Sequence, residues 1–112
     1  MPRSDSLGQF EQLVLTSIVT LGDDAYGVTI QKKVHELASS KTVTLGAIYV
    51  ALDRLEDKGF VTSWLSEPTA ARGGRAKRCY RLDAPGERAL KESLATARRM
   101  AMSVTPIWGD YA

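Results

Sequence analysis

The residues with the most chemistry to offer lie together in Arg72-Gly73-Gly74-Arg75-Ala76-Lys77-Arg78-Cys79-Tyr80-Arg81. This stretch holds five of the chain's 15 Lys and Arg, and no acid occurs between Pro68 and Leu82. Gly73-Gly74 supplies the backbone freedom that a tight reversal needs, so the cations cluster at the tip of a hairpin. Fixed cations at such a tip suit contact with nucleic-acid phosphates, because each phosphate neutralised releases condensed counterions. A solvated, charged turn has the same composition, so the loop alone does not decide between the two.

Other reactive side chains are sparse. The chain has 1 Cys, Cys79, and 1 His, His35. A structural zinc site needs four ligands of the Cys and His kind, which this chain cannot supply. A Cys–His nucleophilic pair would have to join these two residues, and no motif places a base beside Cys79. The cations around Cys79 would lower its thiol pKa, but a small residue on a strand face is the expected role. His35 falls opposite the stripe Tyr26, Ile30, Val34 and Leu37, which predicts an exposed ring. No phosphate-binding loop or dinucleotide fingerprint occurs. Neither enzyme activity nor a cofactor or metal is expected.

A length of 112 residues predicts one domain with a modest core, near the size at which association helps. Hydrophobic and charged contents of 44% and 25% are those of a globular chain. The net charge of +2 is small, so a binding surface must come from the placement of charge rather than its sum. Neither a secretory leader nor an apolar run of membrane-spanning length is seen. With one cysteine and no internal disulfide, the expected setting is the reducing cytoplasm, with no membrane partner.

The elements that would position the basic hairpin follow from periodicity. Phe10, Leu13, Val14, Ile18 and Leu21 mark a first helix over 7–21, ending at Gly22. Leu15 and Val19 widen its apolar arc enough to face a second subunit. A second helix spans 26–38. A third begins at the N-cap Thr44, continues to Lys58 and stops at Gly59. Its inner face is Leu45, Ile48, Leu52 and Leu55, and its outer face is Gly46, Ala47, Val50 and Arg54. That outer face is small where a water-facing helix would carry long charges, as a surface entering a DNA groove requires. Strands over 60–65 and 77–82 flank the basic turn, with Tyr80 and Leu82 on one face and Cys79 and Arg81 on the other. A helix-turn-helix followed at once by a hairpin is a winged helix. The fold class expected is therefore mainly α with a small β-hairpin: a winged helix-turn-helix plus a C-terminal dimerisation helix.

That last helix starts near Asp83 as N-cap, and Leu90, Leu94, Ala97, Ala101 and Val104 form a short coiled-coil seam. Thr105-Pro106 is expected to stop it. The division predicted is a DNA-binding domain over 1–83, a dimerisation helix over 84–104 and a tail over 105–112. Dimer contacts are expected from Phe10, Leu15, Val19, Leu90, Leu94, Ala97 and Ala101.

Several pieces together resemble a known family. They are Ala25-Tyr26-Gly27, Thr44-Leu45-Gly46-Ala47-Ile48-Tyr49, and Leu52-Asp53-Arg54-Leu55-Glu56-Asp57-Lys58-Gly59. The glycine-arginine hairpin ending in Tyr80-Arg81-Leu82-Asp83, with Gly86 and Ala89-Leu90, completes the set. The chain resembles PadR-type transcriptional regulators of bacteria over about 7–94, in their short form with one C-terminal helix. The resemblance implies a homodimeric repressor whose last helix crosses to its partner, and which binds a pseudo-palindromic operator in double-stranded DNA. Helix 44–58 would enter the major groove with the basic wing 66–81 beside it. By that resemblance Tyr49 and Arg54 contact DNA, Thr44 and Gly46 lie at the leading end of the helix, and Arg72, Gly73, Gly74, Arg75 and Lys77 hold the backbone. Tyr49 borders the apolar face, so a packing role for its ring stays open. Some short members bind flat aromatic compounds between subunits. Trp108 and Trp64 are the candidates for such an effector contact, with a packing anchor as the plainer role for Trp108. The alternative reading is a winged-helix module that binds a protein and not specific DNA. Such a module has no need of five cations at a hairpin tip, and its third helix should expose larger apolar residues.

Overall fold

The computed structural model describes residues 7–40, 42–67 and 76–110. Four helices and a hairpin follow in the order α1 (Gln9–Leu21), α2 (Gly27–Ala38), α3 (Leu45–Asp57), β1 (Val61–Leu65), β2 (Arg78–Leu82) and α4 (Ala84–Trp108), with a 3₁₀ turn at Gly22–Asp24. This is the expected class, mainly helical with one antiparallel hairpin.

The core is where the inner stripes of α1, α2 and α3 converge. Val14, Leu15, Ile30, Val34, Ile48, Leu52 and Leu55 are fully buried there. The three-and-four spacing of these residues makes each helix amphipathic, so burial of one face fixes its rotation. Leu37 departs from the expected stripe and is 44% exposed. A three-residue step turns it about 60° back from Val34, whereas the four-residue step puts Ala38 on the inner side. Gly59 adopts φ +78, the left-handed region that ends α3.

β2 has backbone partners along both of its edges. On one side it pairs with β1 in the register Val61↔Leu82 to Leu65↔Arg78. On the other, Tyr26 bridges Cys79, and the Tyr80 N–H donates to the Ala25 carbonyl at 3.0 Å. Alternation does put Cys79 and Tyr80 on opposite faces, but this extra chain covers the Cys79 side, so both are buried. The 4% exposure of Cys79 leaves its thiol a packing residue.

His35 is likewise not the free surface ring expected. Its Nε2 lies 2.8 Å from the Val43 carbonyl, which also accepts from Gln31 Nε2 at 2.9 Å. A carbonyl can only accept, so the imidazole donates. One turn apart on α2, the two side chains pin the segment that leads into α3.

α4 starts where expected, with Asp83 as N-cap by position. The Asp83 carboxylate does not cap, however; it accepts from the Thr62 hydroxyl at 2.6 Å and so ties the helix to β1. Gly86 passes so close to Phe60 that a Cβ would overlap the Phe60 carbonyl. Four residues separate the observed end, Trp108, from the expected end at 104. Pro106 lacks one N–H, but so near the terminus a single backbone bond is lost at the surface, and the chain keeps its helical course. The Gly109 N–H then closes the helix on the Thr105 carbonyl at 2.7 Å. The segment 105–108 therefore belongs to the helix and not to a tail. No helix among the described residues is long and apolar enough to cross a membrane.

Candidate nucleic-acid interface

α3 is held rigidly at its leading end. Thr44 Oγ1 accepts the Ala47 N–H at 3.1 Å, satisfying one of the free donors of the first turn. With Ile48, Leu52 and Leu55 anchored in the core, Gly46, Ala47, Val50 and Arg54 are exposed on the outer side, as the sequence predicts. Acidic residues on this helix (Asp53, Glu56 and Asp57) occupy only its C-terminal half. The N-terminal half is thus the end that a polyanion can approach, and the helix dipole adds to that bias.

Tyr49 has a packing partner. Its hydroxyl and ring occupy the space that a side chain at Gly27 would fill, so the ring lies on the first turn of α2. It nonetheless remains 41% exposed. Both roles left open by the sequence are thus compatible with one position.

The wing residues separate into two directions. Lys77 Nζ sits 4.2 Å from the centroid of the Tyr26 ring, a cation–π contact on the α2 side of the sheet. Arg78 points to the α3 side, where its Nη1 donates to Ser63 Oγ at 2.9 Å. Ser63 in turn donates to Glu56 Oε2 at 2.9 Å, joining both strands to α3. In the sequence Arg78 is one cation of the basic stretch, with nothing to assign it a contact. Period-two alternation puts it on the Tyr80 face, but its link to Glu56 depends on how the hairpin sits against α3. On the other face, Arg81 lies 5.6 Å from the Trp64 ring. Arg72, Gly73, Gly74 and Arg75 lie outside the described residues.

An ion pair braces α3 from behind. Lys58 Nζ donates to Glu11 Oε2 at 2.8 Å, while the Gly8 N–H donates to Glu11 Oε1 at 3.1 Å. Burial alone would raise the Glu11 pKa. The hydrogen bonds from Lys58 and Gly8 and the nearby charges of Lys58 and Arg54 outweigh it, holding the carboxyl below its ordinary value.

The residues expected at a subunit seam divide. Leu15 and Leu90 are consumed by the chain's own core, with 0% and 5% exposure, and leave nothing for a partner. Both stripes are read from the same periodicity, which cannot say which neighbour covers them. Phe10 and Ala101 are half-buried, and Val19, Leu94 and Ala97 are exposed. Trp64 is on the wing under Arg81, and Trp108 is exposed in the last turn of α4, so the two tryptophans sit on different elements.

A family model described as the transcriptional regulator PadR-like family matches residues 14–92. The chain belongs to the PadR-like family. The PadR-like fold makes it a DNA-binding transcription regulator of the winged-helix kind. A PadR-family transcription regulator from Clostridium difficile is 28% identical, with a TM-score of 0.72 over 91% of this chain and 100% of that one. A PadR-like regulator from Bacillus cereus shares the fold at a TM-score of 0.73, with 19% identity over 91% and 93% of the two chains. An Aeropyrum pernix ORC1 protein, solved in complex with DNA, is 31% identical at a TM-score of 0.62; the match covers 83% of this chain and 26% of that one. No curated protein matches the chain.

Proposed function

We propose that this PadR-like chain is a repressor that binds a pseudo-palindromic operator as a homodimer. α3 enters the major groove, and the wing residues Arg72, Gly73, Gly74, Arg75 and Lys77 hold the adjacent phosphate backbone. The observation that carries this reading is the outer surface of α3. Apart from the Tyr49 ring it is small, and it is exposed and free of acid over its first two turns, next to a hairpin whose sequence concentrates positive charge. The ORC1 neighbour, whose structure contains DNA, supports nucleic acid as the partner of this fold.

Dimerisation is supported by α4. It runs for 25 residues, about 37 Å at 1.5 Å per residue, but only Gly86 and Leu90 near its start are buried. Beyond them Leu94, Met100, Met102, Ile107 and Trp108 are exposed, more apolar surface than a monomer of this size should leave uncovered. A two-fold partner is the economical cover, and it also supplies the second α3 that a palindromic site requires.

The experiment is selection of bound fragments from the host's genomic DNA. The expected outcome is an inverted repeat whose half-sites lie about one helical turn apart, near 34 Å. Recovery of fragments with no shared motif would contradict the reading.

A further inference from the structure

The first two turns of α3 present Thr44, Gly46, Ala47 and Val50 to the outside, all exposed. Thr44 Oγ1 accepts the Ala47 N–H at the start of the helix, the Tyr49 hydroxyl lies over Gly27, and Gly46, Ala47 and Val50 carry no hydrogen-bonding side chain. Long polar side chains are plentiful elsewhere, with Arg88, Lys91, Glu92, Arg98 and Arg99 along the wet side of α4. Charged side chains on α3 are confined to its C-terminal half, Asp53 onward. Val50 is 56% exposed, although a β-branched apolar side chain gains nothing from water and is a poor helix former.

Gly46 leaves its position on the outer side of the first turn without a side chain. Within 4 Å, a Cβ there would meet only Thr44 Oγ1, at 3.9 Å, so no neighbour in the chain demands glycine. Gly27 and Gly86 are different, since a Cβ at either would overlap Tyr49 or Phe60. Internal packing accounts for those two, whereas Gly46 simply leaves the backbone of α3 bare on its outer side.

Every base edge in the major groove carries hydrogen-bonding groups, but among the four standard bases only thymine carries a methyl. The side chain of Val50 can itself neither donate nor accept a hydrogen bond, so the group on a base edge that it matches is that methyl. We propose that Val50, flanked by Ala47, sets sequence specificity by packing on the C5-methyl of a thymine in each half-site. The bare backbone at Gly46 lets α3 approach closely enough. The proposal rests on the operator-binding function above and adds the base that is read. Asp53 and Arg54, one turn further on, are the exposed polar groups left for neighbouring edges or phosphates.

The test uses the full chain and a duplex that it has itself selected from a random library. Each thymine of the half-site is replaced in turn by deoxyuridine, which removes only the methyl. Burial of one methyl corresponds to about a fourfold change in affinity, and replacement in both half-sites to about fifteenfold. A loss of this size is expected at one or two positions, with no loss outside the α3 footprint. At a sensitive position, 5-methylcytosine should outbind cytosine by a similar factor. Val50→Ala should melt at the same temperature as the wild type, because the side chain is exposed, and should lose most of the thymine-over-uracil preference. Equal affinity for thymine and uracil at every position would overturn the proposal and leave DNA binding intact. An undiminished preference in Val50→Ala would remove Val50 from the role. Failure to select any duplex would overturn this proposal together with the function on which it rests.

Discussion

Gly86 is the residue at which the winged helix and α4 are joined most tightly. Its missing side chain lets α4 lie against the Phe60 carbonyl, while the Asp83 N–H bonds that same carbonyl at 2.9 Å. The obstacle to a Cβ is backbone, which cannot swing aside as the tip of a side chain would. Gly86→Ala should therefore destabilise the fold by about 1–3 kcal/mol, the usual cost of overpacking. Thermal melting reads this directly, and an unchanged midpoint would contradict the packing described. Gly27→Ala is expected to be milder, since the atoms it meets belong to the Tyr49 ring. The His35 and Gln31 contacts to Val43 work on the same principle, with single side chains fixing the backbone that aims α3.

Between elements, the Lys58–Glu11 pair ties the start of α1 to the end of α3. The depressed pKa of Glu11 means that the folded state favours the carboxylate. Its contribution is present in full above the ordinary glutamate pKa of the unfolded chain and is lost as pH falls through the lower folded-state value. Both side chains keep some contact with water, so the pair is worth about 1 kcal/mol or less. Glu11→Gln should lower the melting temperature at pH 7, and the gap from the wild type should close in acid; a gap independent of pH would contradict this role. These ties also mark the limit of what the sequence reveals. The Thr44 cap and the two faces of α3 are legible because cap and period are both local patterns. The Val43 carbonyl as partner of His35, the covering of Cys79 by Tyr26 and the link from Arg78 through Ser63 to Glu56 all join residues brought together only by tertiary packing. Pro106 misleads for a different reason: its cost depends on where in the helix it falls.

For the whole molecule, the proposed dimer would cover the exposed length of α4 with a second copy. Leu94 is 46% exposed in the single chain, so Leu94→Glu should leave the helical content intact while placing a charge in the proposed seam between subunits. Sedimentation should then report a monomer of 12.2 kDa for the variant and twice that mass for the wild type. A monomeric wild type at micromolar concentration would contradict the assembly. A dimer presents two wings and two copies of α3, so roughly three or four phosphate contacts per protomer give about 6 to 8 in total. The most direct measurement is therefore affinity for a selected palindromic duplex at 50 and 200 mM salt, with and without five base pairs inserted between half-sites. Affinity should fall by about three to four orders of magnitude across that range. Tight binding should also be lost on insertion, because half a helical turn carries the second half-site to the far side of the duplex. Affinity that scarcely changes with salt, or that survives the insertion, would contradict operator binding by a dimer.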